Sequence, residues 1–460
     1  MEVAAYVKNQ RAYFQTGATR SLEFRRARLC ELRAAIEARE AELLAALHAD
    51  LRKPPQEAYA AEIGLVLAEI QHARKHLSRW MRPQRRSLPF LAWPGDARIH
   101  PEPLGVALLI GPWNYPFQLL LAPLVGAIAA GNCATLKPSE LAPHTSAAAA
   151  RLIRATFPEH YIAVVEGGRA EAEALLGERF DSIFFTGSTQ VGRAVMSAAA
   201  RHLTPVTLEL GGKSPCIVCA DAPLEVTARR IAWGKWMNAG QTCVAPDFLL
   251  VDRKIRDALI EALIKAVRDF YGADPRFSAD YGRIVNRAHF DRLAAYLGEG
   301  RSVHGGGHDA DDLYLAPTIL TEVSPDAPVM QEEIFGPILP VLDFAEFDEV
   351  PAFLRDRPAP LALYLFTHDA QKQRRLVEET RSGGVCFNDT VVQLLGKDLP
   401  FGGVGESGLG AYHGKASFDC FSHAKSVVRR STVLDPGLRY PPFRQPLERL
   451  KRLFRLMMGG

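Results

Sequence analysis

Gly105-Val-Ala-Leu-Leu-Ile110-Gly-Pro-Trp-Asn-Tyr-Pro116 opens the part of the chain that decides its fold, which runs on to Val206-Thr-Leu-Glu-Leu210. Apolar runs and helical patterns alternate along it. Strands are expected at 105–110, 134–137, 162–165, 181–185 and 206–210, with helices at 118–130, about 144–157, 171–176 and 191–202 between them. Strands apolar on both faces, separated by helices, imply a parallel sheet covered on both sides. Such a sheet binds ligands at the carboxyl ends of its strands, which singles out the loops after Ile110, Leu136, Phe185 and Leu210. Residues 106–136 carry no charge and are numerous enough to span a bilayer. Gly111-Pro112, Pro116, Pro123 and Asn132 break that run, so it reads as a buried strand, a loop and a buried helix.

Upstream, residues 1–82 read as helical. An amphipathic helix is expected over 20–48, stopped by Pro54-Pro55, and a second over 59–80. Residues 83–103 are rich in Pro, Arg and Trp and read as irregular, either a linker or an arm packed on another subunit. Downstream, a second α/β region covers 211 to about 392. Its expected strands lie near 216–219, 248–251 and 361–366, and its helices at 255–270 and 370–380. From Asp398 onward Gly and Pro dominate, around a strand-like Lys425-Ser-Val-Val-Arg429.

The chain has 460 residues, 48% of them hydrophobic, enough for two or three domains. A formal net charge of +3 gives no argument for nucleic acid, and no recognition motif of that kind is present. Seven scattered cysteines suit a reducing, cytoplasmic setting rather than a disulfide framework. The N-terminus lacks the basic and apolar regions of a signal peptide.

The chemistry centres on Asn238-Ala-Gly-Gln-Thr-Cys243-Val-Ala-Pro246, which sets one cysteine among small residues that leave room for a substrate carbon. Taken alone, Cys243 reads equally as a small core residue. Glu209 interrupts an apolar strand. Partial burial there raises a carboxyl toward the range of a general base, and the bland alternative is an edge residue facing water. Asn114, between two prolines at a strand end, is either a fixed donor for an oxyanion or a loop cap. Gly187, Ser188 and Gly192 lie in a turn leading into a helix, where N–H groups and the helix dipole favour a phosphate. Lys137 and Glu140 at another strand end suit ribose hydroxyls, or simply cap a helix. Gly211-Gly-Lys213-Ser is not a phosphate loop, because Thr207 stands where that motif needs glycine. Cys216 and Cys219 flank Ile and Val in a buried strand, and no metal site is expected.

Seven motifs in order resemble the aldehyde dehydrogenase superfamily across about residues 43–442. They are Pro112-Trp-Asn-Tyr-Pro116, Lys137-Pro-Ser-Glu140, Phe185-Thr-Gly-Ser188, Leu208-Glu-Leu-Gly-Gly-Lys213, Gly240-Gln-Thr-Cys243, Glu332-Glu-Ile-Phe-Gly-Pro337 and Pro400-Phe-Gly-Gly403. Trp113-Asn-Tyr, Tyr412-His-Gly414 and Tyr440-Pro-Pro442 resemble its class 3 branch.

The resemblance implies an α/β fold with a Rossmann-like, parallel-sheet cofactor domain (1–82 and 104–210) and an α/β catalytic domain (211–395). It also implies a small bridging or oligomerisation arm (83–103 and 396–442) and a homodimer. It casts Cys243 as nucleophile, Asn114 with the Cys243 N–H as oxyanion donors, and Glu209 as activator of the hydrolytic water. Lys137 and Glu140 fall at the adenine ribose, Gly187, Ser188 and Gly192 at the pyrophosphate, and Glu333 and Phe335 at the nicotinamide ribose and ring. The cofactor implied is NAD, with NADP possible. The substrates implied are medium- or long-chain aliphatic or aromatic aldehydes, with Ile63, Leu65, Phe387 and Val392 as lining residues. Rivals are an acyl thioester or acyl phosphate reductase of this fold, against which Glu209 counts, and a silent structural or binding homologue, against which the Cys243, Glu209 and Asn114 set counts.

Residues 443–460 depart from this pattern. Leu450, Leu453, Phe454, Met457 and Met458 recur at helical spacing among Arg449, Lys451, Arg452 and Arg455. The result is a basic amphipathic helix, suited either to an anionic membrane surface or to a partner subunit.

Overall fold

The computed structural model describes residues 3–89, 92–435, 440–443 and 445–457. A six-stranded sheet runs in the order Gly408–Leu409, Val206–Glu209, Ser182–Thr186, Val106–Ile110, Cys133–Lys137, Ile162–Val164. Its five strands from the first half of the chain are parallel, as their two-sided apolar character requires. Gly408–Leu409 adds an antiparallel edge that the sequence pattern did not announce. Strand order reverses between Val106–Ile110 and Ser182–Thr186, so a ligand crevice is expected outside their carboxyl ends. Helix Gln118–Ala130 follows Val106–Ile110 and is buried along its whole length. The uncharged run is therefore core, and among the described residues no helix is long and apolar enough to cross a membrane.

A seven-stranded sheet runs Arg301–His304, Thr318–Thr321, Ile338–Phe344, Phe248–Asp252, Pro215–Val218, Ala362–Phe366, Gly384–Phe387. Only the Arg301–His304 edge is antiparallel.

Two sequence expectations fail. Residues 83–103 are not irregular: Gln84–Arg86 and Gly95–Pro103 form a three-stranded antiparallel sheet with Ser422–Arg430, in register from Ser422↔Pro103 to Arg430↔Gly95. Gln84–Arg86 is exposed and Gly95–Pro103 only half-buried, and the latter's long partner lies across most of the chain, so no local apolar alternation marks either. The helix expected over 20–48 is broken at Arg39 (φ −116°, ψ 16°) into Leu22–Ala38 and Glu40–Leu51, at a point with neither Gly nor Pro. The tail helix forms over Leu447–Met457, with Leu447 and Leu456 exposed; Met458 lies outside the described residues.

The N-terminal helices are tied to the six-stranded sheet by a fully buried ion pair, Lys53–Glu62. Glu62 Oε2 accepts from the N–H groups of Phe117 (2.9 Å) and Gln118 (3.1 Å), at the start of helix Gln118–Ala130. A carboxylate is favoured at that helix end. Lys53 Nζ donates to the Asn114 carbonyl (2.7 Å) and sits 3.9 Å from the centre of the Tyr115 ring. A buried pair that loses one partner leaves an uncompensated charge. Glu62→Ala is therefore expected to cost ~3–5 kcal/mol and to lower the melting temperature by roughly 6–15 °C, read by calorimetry.

Candidate active site

Asn114 follows strand Val106–Ile110, Gly187 follows Ser182–Thr186, and Glu209 ends Val206–Glu209. All three stand at carboxyl ends of the six-stranded sheet, beside the strand-order reversal. Cys243 arrives from the other direction. It precedes Phe248–Asp252 and so lies at the amino end of the seven-stranded sheet. The two ends enclose a cleft of about 1090 Å³, lined by Asn114, Gly187, Ser188, Glu209, Cys243, Glu333 and Phe335.

The turn before the cysteine is left-handed at three successive residues: Asn238 (φ 52°), Ala239 (φ 51°) and Gly240 (φ 76°). At Gly240 a Cβ would stand 2.2 Å from the Gly336 carbonyl oxygen, so only glycine fits. Gln241 braces the turn. Its Nε2 donates to the carbonyls of Asn238 (3.1 Å) and Arg283 (2.9 Å), and its Oε1 accepts from the Val285 N–H (3.0 Å). Thr242 Oγ1 shares a 2.7 Å hydrogen bond with the Tyr115 hydroxyl, and the Tyr364 hydroxyl donates to the Val244 carbonyl (2.6 Å). Asn114 Nδ2 donates to the Gln241 carbonyl (3.0 Å), which fixes its amide two residues from Cys243.

Cys243 is half-buried, and its thiol is pushed well above the ordinary range by burial and by the nearby Glu333 and Glu209 carboxyls. The backbone N–H groups of Cys243 and Val244 pull the other way without offsetting it. Glu209 is 2% exposed, and among the described residues neither carboxylate oxygen has a hydrogen-bond partner. Burial raises its carboxyl well above the ordinary value. The solvent-facing alternative is overturned, and burial is complete rather than partial. A buried, unpartnered carboxyl lining a cleft is where a general base is expected.

The Glu333 carboxyl is pushed up to about 8 by burial and by Asp247, against the pull of the Gly212 N–H. Its loop is held from below. The Lys213 ammonium pairs with Asp247 and donates to the carbonyls of Val329 (2.7 Å) and Glu332 (3.0 Å). Asp247 Oδ1 accepts from the Ile334 N–H (2.9 Å), and Arg292 donates to the Ile334 carbonyl (2.7 Å). The Phe335 ring meets Trp113 edge to face at 5.3 Å, and Trp113 lies 4.9 Å from the His289 ring. Trp113 and His289 both line the cleft, and the sequence carried no signal for His289.

Ser188 caps helix Thr189–Ala200, its Oγ accepting from the Val191 N–H (3.4 Å), and Thr189 and Gln190 line the cleft. Glu406 reaches across from the C-terminal segment: Thr189 Oγ1 donates to its carbonyl (3.0 Å) and Arg193 pairs with its carboxylate. Gly192 does not line the cleft; a Cβ there would meet Leu210 at 2.7 Å, so its glycine serves packing. Lys137 and Glu140 also lie outside the cleft lining and pair with each other at 2.7 Å. Burial raises the Glu140 carboxyl, and the Lys137 ammonium outweighs it, leaving the group below its usual range.

The family model for the aldehyde dehydrogenase family matches residues 1–427. The chain belongs to the aldehyde dehydrogenase family. As a family member it is an oxidoreductase that converts aldehydes to carboxylic acids. It is 47% identical to 4,4'-diaponeurosporen-aldehyde dehydrogenase of Staphylococcus aureus, over 97% of this chain and 98% of that protein. It is 48% identical to the dimeric NADP-preferring aldehyde dehydrogenase of Rattus norvegicus, over 95% of this chain and 97% of that one. The substrate-bound structure of Staphylococcus aureus AldH superposes with a TM-score of 0.96 at 46% identity, covering 99% of this chain and 100% of that chain.

In this aldehyde dehydrogenase the burial of Glu209 has a thermodynamic sign. Its folded-state carboxyl titrates above the unfolded value, so the destabilisation is absent below the unfolded pKa and grows as pH rises past it. Glu209→Gln is expected to melt at least ~2 °C higher than the wild type at pH 8, with the gap closing by about pH 4. Melting curves across pH check this.

Proposed function

We propose that this aldehyde dehydrogenase oxidises apolar aldehydes, medium- or long-chain aliphatic or aromatic, with NAD or NADP, using Cys243 as nucleophile. The observation that carries the reading is the convergence of Cys243, Asn114 and Glu209 on one cleft from two opposed sheets. Relatives named for a diaponeurosporen-aldehyde and for dimeric, NADP-preferring activity support the apolar substrate, the homodimer and the cofactor. Solved structures of more distant relatives contain NAD+.

The Cys243 sulfur attacks the aldehyde carbon, passing its proton to a carboxylate lining the cleft. The Asn114 amide and the Cys243 N–H stabilise the oxyanion of the resulting thiohemiacetal. When bound, the nicotinamide accepts the hydride whose loss leaves an acyl group on Cys243. Glu209, once ionised, takes a proton from the water that releases the acid.

The residues present suit a dinucleotide. A twelve-residue helix presents its N-terminus to the cleft, and the aromatic ring of Phe335 and the carboxyl of Glu333 lie in the same lining. Gly187 and Ser188 would hold the pyrophosphate, Glu333 and Phe335 the nicotinamide end, and Lys137 and Glu140 the adenine ribose. Gly192 would act by letting its helix approach Leu210. The Lys137 ammonium offsets the Glu140 charge that would repel a 2′-phosphate, in keeping with use of either cofactor.

Residues 1–82 and 104–210 would form the cofactor domain and 211–395 the catalytic domain, in support of which each large sheet draws its parallel strands from one of them. The arm, 83–103 and 396–442, would serve the dimer. A cytoplasmic enzyme is proposed, with the tail 443–460 resting on anionic membrane. Leu447, Phe454 and Leu456 are exposed on a helix that also carries Arg449, Lys451, Arg452 and Arg455.

Two experiments test these readings. With an aldehyde panel, Cys243→Ala is expected to lose turnover, Glu209→Gln to give one burst of NADH and slow deacylation, and Asn114→Ala to lose ~10²–10³ in kcat. Full activity in Cys243→Ala contradicts the mechanism. Truncation after Pro442 is expected to abolish co-sedimentation with anionic vesicles; unchanged binding overturns the membrane reading, and a shift to monomer places the helix at the subunit interface.

A further inference from the structure

Glu57 lies on the short helix Pro55–Ala58, immediately before a π-helical turn, Tyr59–Ile63. It does not line the cleft. Its Oε1 nevertheless accepts a 3.0 Å hydrogen bond from the N–H of Asn238, the first left-handed residue of the turn that leads to Cys243. Asn238 is further tied into the site: its Nδ2 donates to the carbonyls of Asn114 (2.8 Å) and Gln241 (3.2 Å) and its own carbonyl accepts from Gln241, while its Oδ1 is buried with no hydrogen-bond partner among the described residues. Asn238 is 1% exposed, so its N–H is cut off from water. Without Glu57 that donor would be buried and unmet, at a cost of about 1–3 kcal/mol.

The turn also carries backbone strain. A left-handed conformation costs roughly 1–2 kcal/mol for a residue such as Ala239, while Asn238 is of a type that tolerates it, and the two adopt it in succession. Such a conformation persists only where its surroundings over-determine it. A carboxylate on an N–H is about twice as strong as a neutral acceptor, and Glu57 is the carboxylate at the start of the turn.

We propose that Glu57 is a positioning residue of the active site, its carboxylate holding the left-handed Asn238 turn that aims the Cys243 sulfur. The proposal rests on Cys243 being the nucleophile. The charged and titratable groups facing Glu57 are Lys53 on its own segment, Glu62 in the π-turn and Asp280 from the catalytic half, with the hydroxyls of Tyr115 and Tyr271. Burial pushes the carboxyl up to about 7, against the pull of Lys53 and the Asn238 N–H. The restraint therefore strengthens as pH rises through neutrality.

The test is the rate of the NADH burst at saturating cofactor and aldehyde, from pH 6 to 9. Glu57→Ala is expected to slow the burst ~10- to 100-fold while the aldehyde KM moves less than about threefold. Glu57→Gln keeps a neutral acceptor that cannot ionise. It is expected to match the wild type within about threefold at pH 6 and to fall ~10-fold behind by pH 8.5, with the ratio of the two rates changing around pH 7. Taking the ratio cancels the other titrating groups. A constant Gln-to-wild-type ratio overturns the proposal even where the Ala variant fails to fold, and so does an Ala burst equal to the wild type. A burst in Cys243→Ala, run alongside, overturns the nucleophile assignment instead.

Discussion

The site depends on one constraint: a turn of three left-handed residues, Asn238, Ala239 and Gly240, must be held in place for Cys243 to face the cleft. Glycine satisfies the third position by its nature, but the first two are held by outside contacts. Contacts from the first half of the chain reach the turn and the two residues that follow it. The Asn114 amide reaches the Gln241 carbonyl, Tyr115 reaches Thr242, and Glu57 reaches Asn238. The Lys53–Glu62 pair fixes the loop that carries Asn114 and Tyr115. Folding of the N-terminal helices is thus coupled, contact by contact, to the aim of a sulfur nearly two hundred residues later in the chain.

Within that frame, burial sets the chemistry. The same low-dielectric surroundings push up the Cys243 thiol, the Glu209 carboxyl and the Glu333 carboxyl. None is offset by a nearby salt-bridged partner of its own, whereas Asp247, one layer back, is paired with Lys213. A buried carboxyl is destabilising to hold in its charged form, and its raised proton affinity suits it to act as a base.

Much of this was legible in the sequence, for physical reasons. Buried parallel strands must be apolar on both faces, so the first-half strands and their order along the chain stand out. Glu209 is visible because a carboxylate in such a strand is out of place, and Gly240 lies in a motif where only small residues allow access. What was hidden is what depends on distant pairing. The strand 95–103 takes its long partner from 422–430 and shows no local pattern. Lys213 belongs to a motif, but nothing in the sequence pairs it with Asp247 until the fold joins them. Glu57 sits in a polar stretch with nothing to mark its reach to Asn238. The sequence places Cys243 ahead of the strand at 248–251, but not opposite the strand-end loops of the other sheet, which only the fold brings to it.

The central claim is that the acyl group of the substrate rides on Cys243 of this turn. Acid-quenching the enzyme during turnover of an apolar aldehyde with NAD, followed by peptide mass mapping, tests it most directly. The account predicts a mass increase equal to the acyl group on the peptide containing Cys243 and on no other cysteine peptide. An acyl group on Cys30, Cys386 or Cys420 instead, or turnover with no cysteine acylated, would contradict it.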